Sequence, residues 1–352
     1  VTAVAKKTYG VPRQVSSPLG CYGQSVILMR GYMSGYEIIS SFPLTTRQVF
    51  QKYTRLPPEA SRTFYHYTTH DGLEGILRSG GLRATYRKLM NDTGEFEYAR
   101  SVVFKALDEV QKRHDLPSVA LSITEYTLLN LKNMLEDTTD VSSSFCACFT
   151  VSPDHAEQWQ TYAENGNGFA IGFDIPLLLK YQKDFTKAGL EYIYCLPVLY
   201  NKKDQIDIVH RLVESGIQDL KRFADNVSQQ SEYLTSLRDE ITKEIVTCLL
   251  VLIDFIKSER YASEKEIRFI LDANDANLAP SKVEYYKRGD KTIPFVFLNL
   301  CSPDTKRLPL AEIKVGPNAS FAQEKRYVEG MLNELGYGLD FDDDPSISKS
   351  LF

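Results

Sequence analysis

The sequence predicts an α+β domain built on one mostly antiparallel β-sheet. Two observations carry that prediction. Strand-like runs recur along the chain but are separated by insertions of very unequal length, unlike the regular alternation of a doubly wound parallel sheet. A single block, residues 205–259, switches to helical periodicity and interrupts the strand pattern. The glycines around 166–172 are followed by a strand and form no GxGxxG turn opening a helix, which removes the dinucleotide fingerprint of a parallel fold.

The first strand is expected at 64–67, a short aromatic run, followed by a helix at 71–78 that Gly80-Gly81 ends. An extended piece at 82–86 precedes an amphipathic helix at 95–114, with Phe96, Ala99, Val103, Ala106, Leu107 and Val110 on one face. A further helix is expected at 123–135. Strands follow at 145–151, 168–173 and 198–200. Within 205–259, Ile208, Leu212, Val213 and Ile217 form one apolar stripe and Leu237, Ile241, Ile245 and Leu249 another, so two or three helices should pack as an inserted lobe. Strands at 266–271, 293–298 and 312–315 complete the pattern. The resulting organisation is an N-terminal arm at 1–60, a main domain at 61–320 containing the lobe, and a C-terminal helix with an acidic tail at 321–352. The arm, with Ser16-Ser17-Pro18 and the Pro57-Pro58 pair, is expected to be partly disordered.

Composition narrows the function classes. The chain has 41 basic and 46 acidic residues, a formal net charge of −5, which argues against a broadly basic nucleic-acid surface and leaves room for a local groove. No apolar run reaches the roughly 18 residues of a membrane helix, so no membrane span is expected. The six cysteines include no CxxC pair. Cys146 and Cys148 should point to one face of a strand as small buried hydrophobes in reducing, cytoplasm-like surroundings. The five histidines offer no HxH pair and no recognised metal-ligand set, and no metal is expected.

Three strand ends concentrate chemistry. In Tyr65-His66-Tyr67-Thr68-Thr69 a strand runs straight into a helix, which places an imidazole beside free backbone N–H groups. His66 there either caps the helix or meets a nucleotide. The second segment runs from Thr150-Val151-Ser152 through Trp159 and Tyr162, on one helix face, to the glycine-rich turn at 166–168. Those rings are either core packing or a platform for a flat heterocycle. The third is Glu264-Lys265-Glu266-Ile267-Arg268, a Glu-x-Glu pair opening a strand with Arg268 on the face of Glu266. It is either an exposed charged edge or a carboxylate held ionised by a guanidinium, suited to an oxocarbenium-like transition state.

Taken in order, Tyr65 to Leu77, Asn91-Asp92-Thr93-Gly94-Glu95, Trp159 to Phe173, Glu264 to Arg268 and Val315-Gly316-Pro317 resemble the motifs of a bacterial domain family of unknown function, numbered 2971. That family is in turn similar to ADP-ribosyltransferases of the His-Tyr-Glu type. The resemblance implies a split, mostly antiparallel sheet and NAD as substrate. It implies that His66 bonds the adenosine-side ribose, that the Tyr67 backbone holds the nicotinamide amide, and that Tyr162 stacks on the nicotinamide ring. Glu266 would bond the nicotinamide-ribose 2′-OH, and Glu264 would be the upstream member of the pair. Thr68, Ser152, Trp159, Asn91 and Arg268 would complete the binding residues. The acceptor would be a protein or nucleic acid, in the cytoplasm or in a host cell reached as a secreted toxin or effector. An NAD glycohydrolase and a non-catalytic NAD- or nucleotide-binding module in phage defence remain the alternatives.

Overall fold

The computed structural model describes residues 49, 63–90, 94–113, 128–136, 144–177, 193–224, 232–272, 283–337 and 345–351. The expected arm at 1–60 (save residue 49), Asn91 and Asp92, and the acidic stretch 340–344 lie outside the described residues.

The architecture is α+β around a ten-stranded sheet. Chain order gives β1 (Thr63–Thr68), α1 (His70–Ser79), β2 (Gly81–Tyr86), α2 (Gly94–Arg113), β3 (Ser144–Thr150), α3 (Ala156–Tyr162), β4 (Phe169–Asp174) and β5 (Ile193–Pro197). The lobe helices α4 (Lys202–Ala224) and α5 (Glu232–Phe255) come next, then β6 (Glu266–Asp272), β7 (Val283–Arg288), β8 (Lys291–Asn299), β9 (Leu310–Val315), α6 (Phe321–Glu334) and β10 (Ser346–Lys349). Every strand pair is antiparallel except β10 with β9.

The sheet forks at β3. One edge of β3 pairs along its whole length with β6, from Ser144 opposite Asp272 to Thr150 opposite Glu266. The other edge is shared: β1 meets it at Thr150, and β2 meets it at Phe145 and Cys146. From there β1 continues through β4 to β9, while β2 continues through β8 to β7. The two branches leave Ala147 to Phe149 between them.

Alternation along β3 and β6 decides what lies on each face. Phe145, Ala147, Phe149, Ile267, Phe269 and Leu271 pack with α1 and α6 residues such as Leu73, Val328 and Leu332. Cys146 and Ile270, on the opposite face, pack against α2, α4 and α5 through Val103, Leu212 and Leu252. Farther along that second face come Cys148 opposite Arg268 and Thr150 opposite Glu266. One face thus passes from an apolar floor beneath the lobe to an ionic end.

Most expected elements are present, with three differences. The strand expected at 198–200 lies earlier, at Ile193–Pro197. Past Pro197 the Val198 N–H still bonds the Glu266 carbonyl (3.0 Å), and the chain then turns to the lobe, where the Leu199 N–H bonds the Phe255 carbonyl at the end of α5 (2.7 Å). The polar, exposed strand β7 has too little apolar alternation to read as a strand, and its partner β8 supplies the register. β10, of four residues, is also polar, and pairing with β9 defines it. Among the described residues no helix is long and apolar enough to cross a membrane.

The glycine turn after α3 brings backbones together: a Cβ on Gly316 would strike the Gly166 carbonyl. Gly75, inside α1, has nothing within 4 Å of a built Cβ. Thermal unfolding should therefore show Gly316→Ala destabilised by about 1–3 kcal/mol. Gly75→Ala should gain roughly 0.5–1 kcal/mol. Equal effects would contradict the backbone approach.

Candidate functional site

The fork opens onto a cleft of about 580 Å³ whose lining includes His66, Tyr162, Cys148, Lys257, Glu264 and Glu266. Each part of the lining is placed by a different element.

His66 stands on β1 where β1 diverges from β3. Its Nδ1 lies 2.8 Å from the Cys148 carbonyl oxygen, and its ring meets the edge of Phe149 with centroids 5.9 Å apart. A carbonyl only accepts, so Nδ1 carries the hydrogen and the neutral ring keeps Nε2 as an acceptor. Burial pushes the imidazole pKa below its usual 6.5, against the opposing pull of the Cys148 carbonyl. His66 does not cap the helix. Thr69 does, its hydroxyl accepting from the Gly72 N–H at 3.0 Å.

Tyr162 ends α3 and lines the cleft, and burial, then the charge of Glu264, raise its phenol pKa. Its helix neighbour Trp159 is 2% exposed, edge-on to Tyr67 at 4.8 Å, and donates to Asp154 at 2.6 Å. Tyr67 in turn donates to the Ser152 carbonyl (3.2 Å) and accepts from the His155 N–H (3.1 Å). Trp159 and Ser152 therefore lie behind the lining. Their contacts fix the turn that carries Tyr162. Thr68, buried at the end of β1, also lies outside the lining.

Glu266 opens β6 at the ionic end of the face. Its backbone N–H donates to the Tyr200 hydroxyl at 3.0 Å. Arg268, two residues on and fully buried, holds its carboxylate with both prongs of the guanidinium, Nε at 2.8 Å and Nη2 at 2.9 Å. Lys257 adds a third bond at 3.2 Å. Burial alone raises the pKa of a carboxyl. Here Arg268 and then Lys257 outweigh it, so Glu266 is held well below its usual 4.5 and stays ionised.

Glu264 is not a strand residue. It ends the 3₁₀ turn Glu259–Glu264, and the chain enters β6 through Lys265 in the left-handed region at φ 45°. A lysine pays a conformational cost there. The Glu264 side chain nonetheless reaches Lys257 Nζ at 2.5 Å, and its carbonyl accepts from the Thr150 hydroxyl at 2.7 Å. Its pKa is raised by burial, which Lys257 opposes. The two glutamates thus sit in one site with opposite tendencies, one fixed as an anion and one able to take a proton.

The sequence reading did not find the partners that close this network. Glu95, at the start of α2, lies 2.5 Å from both Arg268 Nη2 and Arg87 Nη2, and 3.4 Å from Lys257. Asp254 accepts from Arg268 through its backbone carbonyl at 2.7 Å, and its side chain lies 3.7 Å from Arg87 Nε. Four carboxylates, Glu95, Asp254, Glu264 and Glu266, face three cations, Arg87, Lys257 and Arg268. The motif Asn91 to Glu95 had marked Glu95 without giving it a role. Arg87 and Lys257 carried no local signal. Among the described residues no group of three or more His, Cys, Asp or Glu side chains is arranged to hold a metal ion.

Residues 158–269 match the model of a protein family of unknown function, DUF2971. The matched span holds Tyr162, the lobe, Lys257, both glutamates and Arg268. Neither curated proteins nor solved structures gave a match.

Because the folded-state pKa of Glu266 lies below its unfolded value, its ionised form contributes stability in full above about pH 4.5 and loses that contribution as pH falls further. Glu266→Gln should be less stable than the parent at neutral pH, yet lose less additional stability between about pH 5 and about pH 3. Urea midpoints measured across that range check this, and parallel acid limbs would contradict it.

Arg268→Met should cost about 3–5 kcal/mol, because it leaves Glu266 and Glu95 buried with one guanidinium fewer. Glu266→Gln combined with Arg268→Met should recover part of that loss in the same assay.

Proposed function

We propose that the chain is an NAD-dependent ADP-ribosyltransferase, releasing nicotinamide and passing ADP-ribose to a macromolecular acceptor. The observation that carries this reading is a carboxylate, Glu266, gripped by Arg268 and Lys257 and lining a cleft that also presents the His66 imidazole and a tyrosine ring. The forked antiparallel sheet supports it by supplying a cleft between two branches, as a split ADP-ribosyltransferase-like sheet requires.

Each residue then has work that its environment suits. His66 Nε2 accepts from a ribose hydroxyl, a binding role that its tautomer permits. Tyr162 stacks on the nicotinamide, while Tyr67 anchors the turn beside it and offers backbone at the strand end. Glu266 accepts from the 2′-OH of the nicotinamide ribose and stabilises the positive charge at C1′ as the C1′–N bond breaks. The bonding pair leaves with nicotinamide, which departs neutral. An acceptor oxygen or nitrogen then bonds C1′ and gives up its proton, for which Glu264 is the placed acceptor. Arg268 touches no substrate in this scheme and keeps Glu266 ionised. Thr68, Ser152 and Trp159 support the lining from behind.

The acceptor is a protein or a nucleic acid, and the setting is the cytoplasm or, for a secreted toxin or effector, the cytoplasm of a host. Incubation with NAD should release nicotinamide, with label from the adenylate half retained on a macromolecule. Glu266→Gln should lower the rate by about 10²–10³-fold. Tyr162→Ala should raise KM roughly tenfold. Release without retained label would make the protein an NAD glycohydrolase, and NAD binding without release would make it a binding module. Release at the parent rate from Glu266→Gln would refute the assignment of Glu266.

A further inference from the structure

We infer that Lys257 is the positioning residue for the Glu264–Glu266 pair, and that the helical lobe is part of the site because it delivers this lysine. The inference deepens the proposed reading of the cleft and rests on it for its catalytic meaning.

The lysine backbone is fixed from two sides. Its N–H donates to the Leu199 carbonyl at 3.1 Å. Its carbonyl accepts from the Gln205 amide at 2.7 Å, and that same amide also bonds the Leu199 carbonyl at 2.6 Å. Gln205 belongs to the first turns of α4 and is fully buried, whereas Lys257 follows the end of α5. The two lobe helices therefore converge on one residue, and a buried amide holds their ends in register.

The side chain then points at carboxylates. Nζ lies 2.5 Å from Glu264, 3.2 Å from Glu266 and 3.4 Å from Glu95, with the Tyr261 ring centroid at 4.8 Å. An ammonium has three hydrogens, and three carboxylates surround it. Burying such a group is a poor route to stability, since an apolar side chain of the same length often serves as well. It is an effective way to fix two carboxylates on different backbone segments, one in the 3₁₀ turn and one on β6. With Lys257 removed, Arg268 still grips Glu266. Glu264 loses the cation beside its part-buried carboxylate and takes up a proton at higher pH.

Lys257→Met in the full chain tests this. By NMR of carbon-labelled glutamate, the Glu264 titration midpoint should rise by about one pH unit or more. The acid limb of nicotinamide release should move with it, and kcat should fall roughly tenfold while KM changes less than about twofold. An unmoved Glu264 midpoint would overturn the inference. A shifted midpoint in a protein that releases no nicotinamide would uphold the lysine's role while refuting the NAD reading. Should the single variant fail to fold, Lys257→Met with Glu264→Gln removes one charge of each sign. Its acid limb should superimpose on that of Glu264→Gln alone, and a displaced limb would overturn the inference.

Discussion

The grip of Arg268 on Glu266 is the constraint on which the rest of the site depends. A carboxylate buried at the end of a strand would take up a proton unless a cation stood beside it. The strand's own alternation supplies that cation two residues later on the same face. Arg268 is itself fully buried, so it needs further acceptors, and these come from Glu95 on α2 and the Asp254 carbonyl on α5. Satisfying one buried charge thus recruits the sheet, the second helix and the lobe into one cluster.

That requirement gives the fold a reason for its asymmetry. The lobe-facing side of β3 and β6 is apolar at Cys146 and Ile270 and ionic at Glu266, and the lobe covers both regions. Its helices bury hydrophobic surface over the first region and end in polar groups over the second. On the opposite edge of β3, the fork between β1 and β2 leaves space for a ligand above the ionic end. Buried ion networks of this kind are expensive relative to apolar packing. Their position beneath a cleft is the argument that this one serves chemistry.

Much of this was legible in the sequence where the signal was local. The Glu266–Arg268 pairing follows from strand periodicity. The two lobe stripes of Ile208 to Ile217 and Ile241 to Leu249 follow from helical spacing. What failed was non-local. Trp159 and Tyr162 share a helix face, yet one ring is buried under Tyr67 and the other lines the cleft, a difference that tertiary packing decides. Glu264 looked like part of a strand, and the left-handed backbone at Lys265 ends the strand one residue short of it. Lys257 sits far along the chain from Arg87 and Glu95, and only the closed network shows that they act on one another.

The central claim is that Glu266, held ionised from below, faces the nicotinamide ribose of a dinucleotide in the fork of the sheet. A crystal structure of the Glu266→Gln protein with NAD tests it most directly. The account predicts the ribose 2′-OH within hydrogen-bonding distance of residue 266, the nicotinamide ring against Tyr162, and the second ribose at His66 Nε2. Dinucleotide bound away from the fork, or with its adenine end over residue 266, would contradict it.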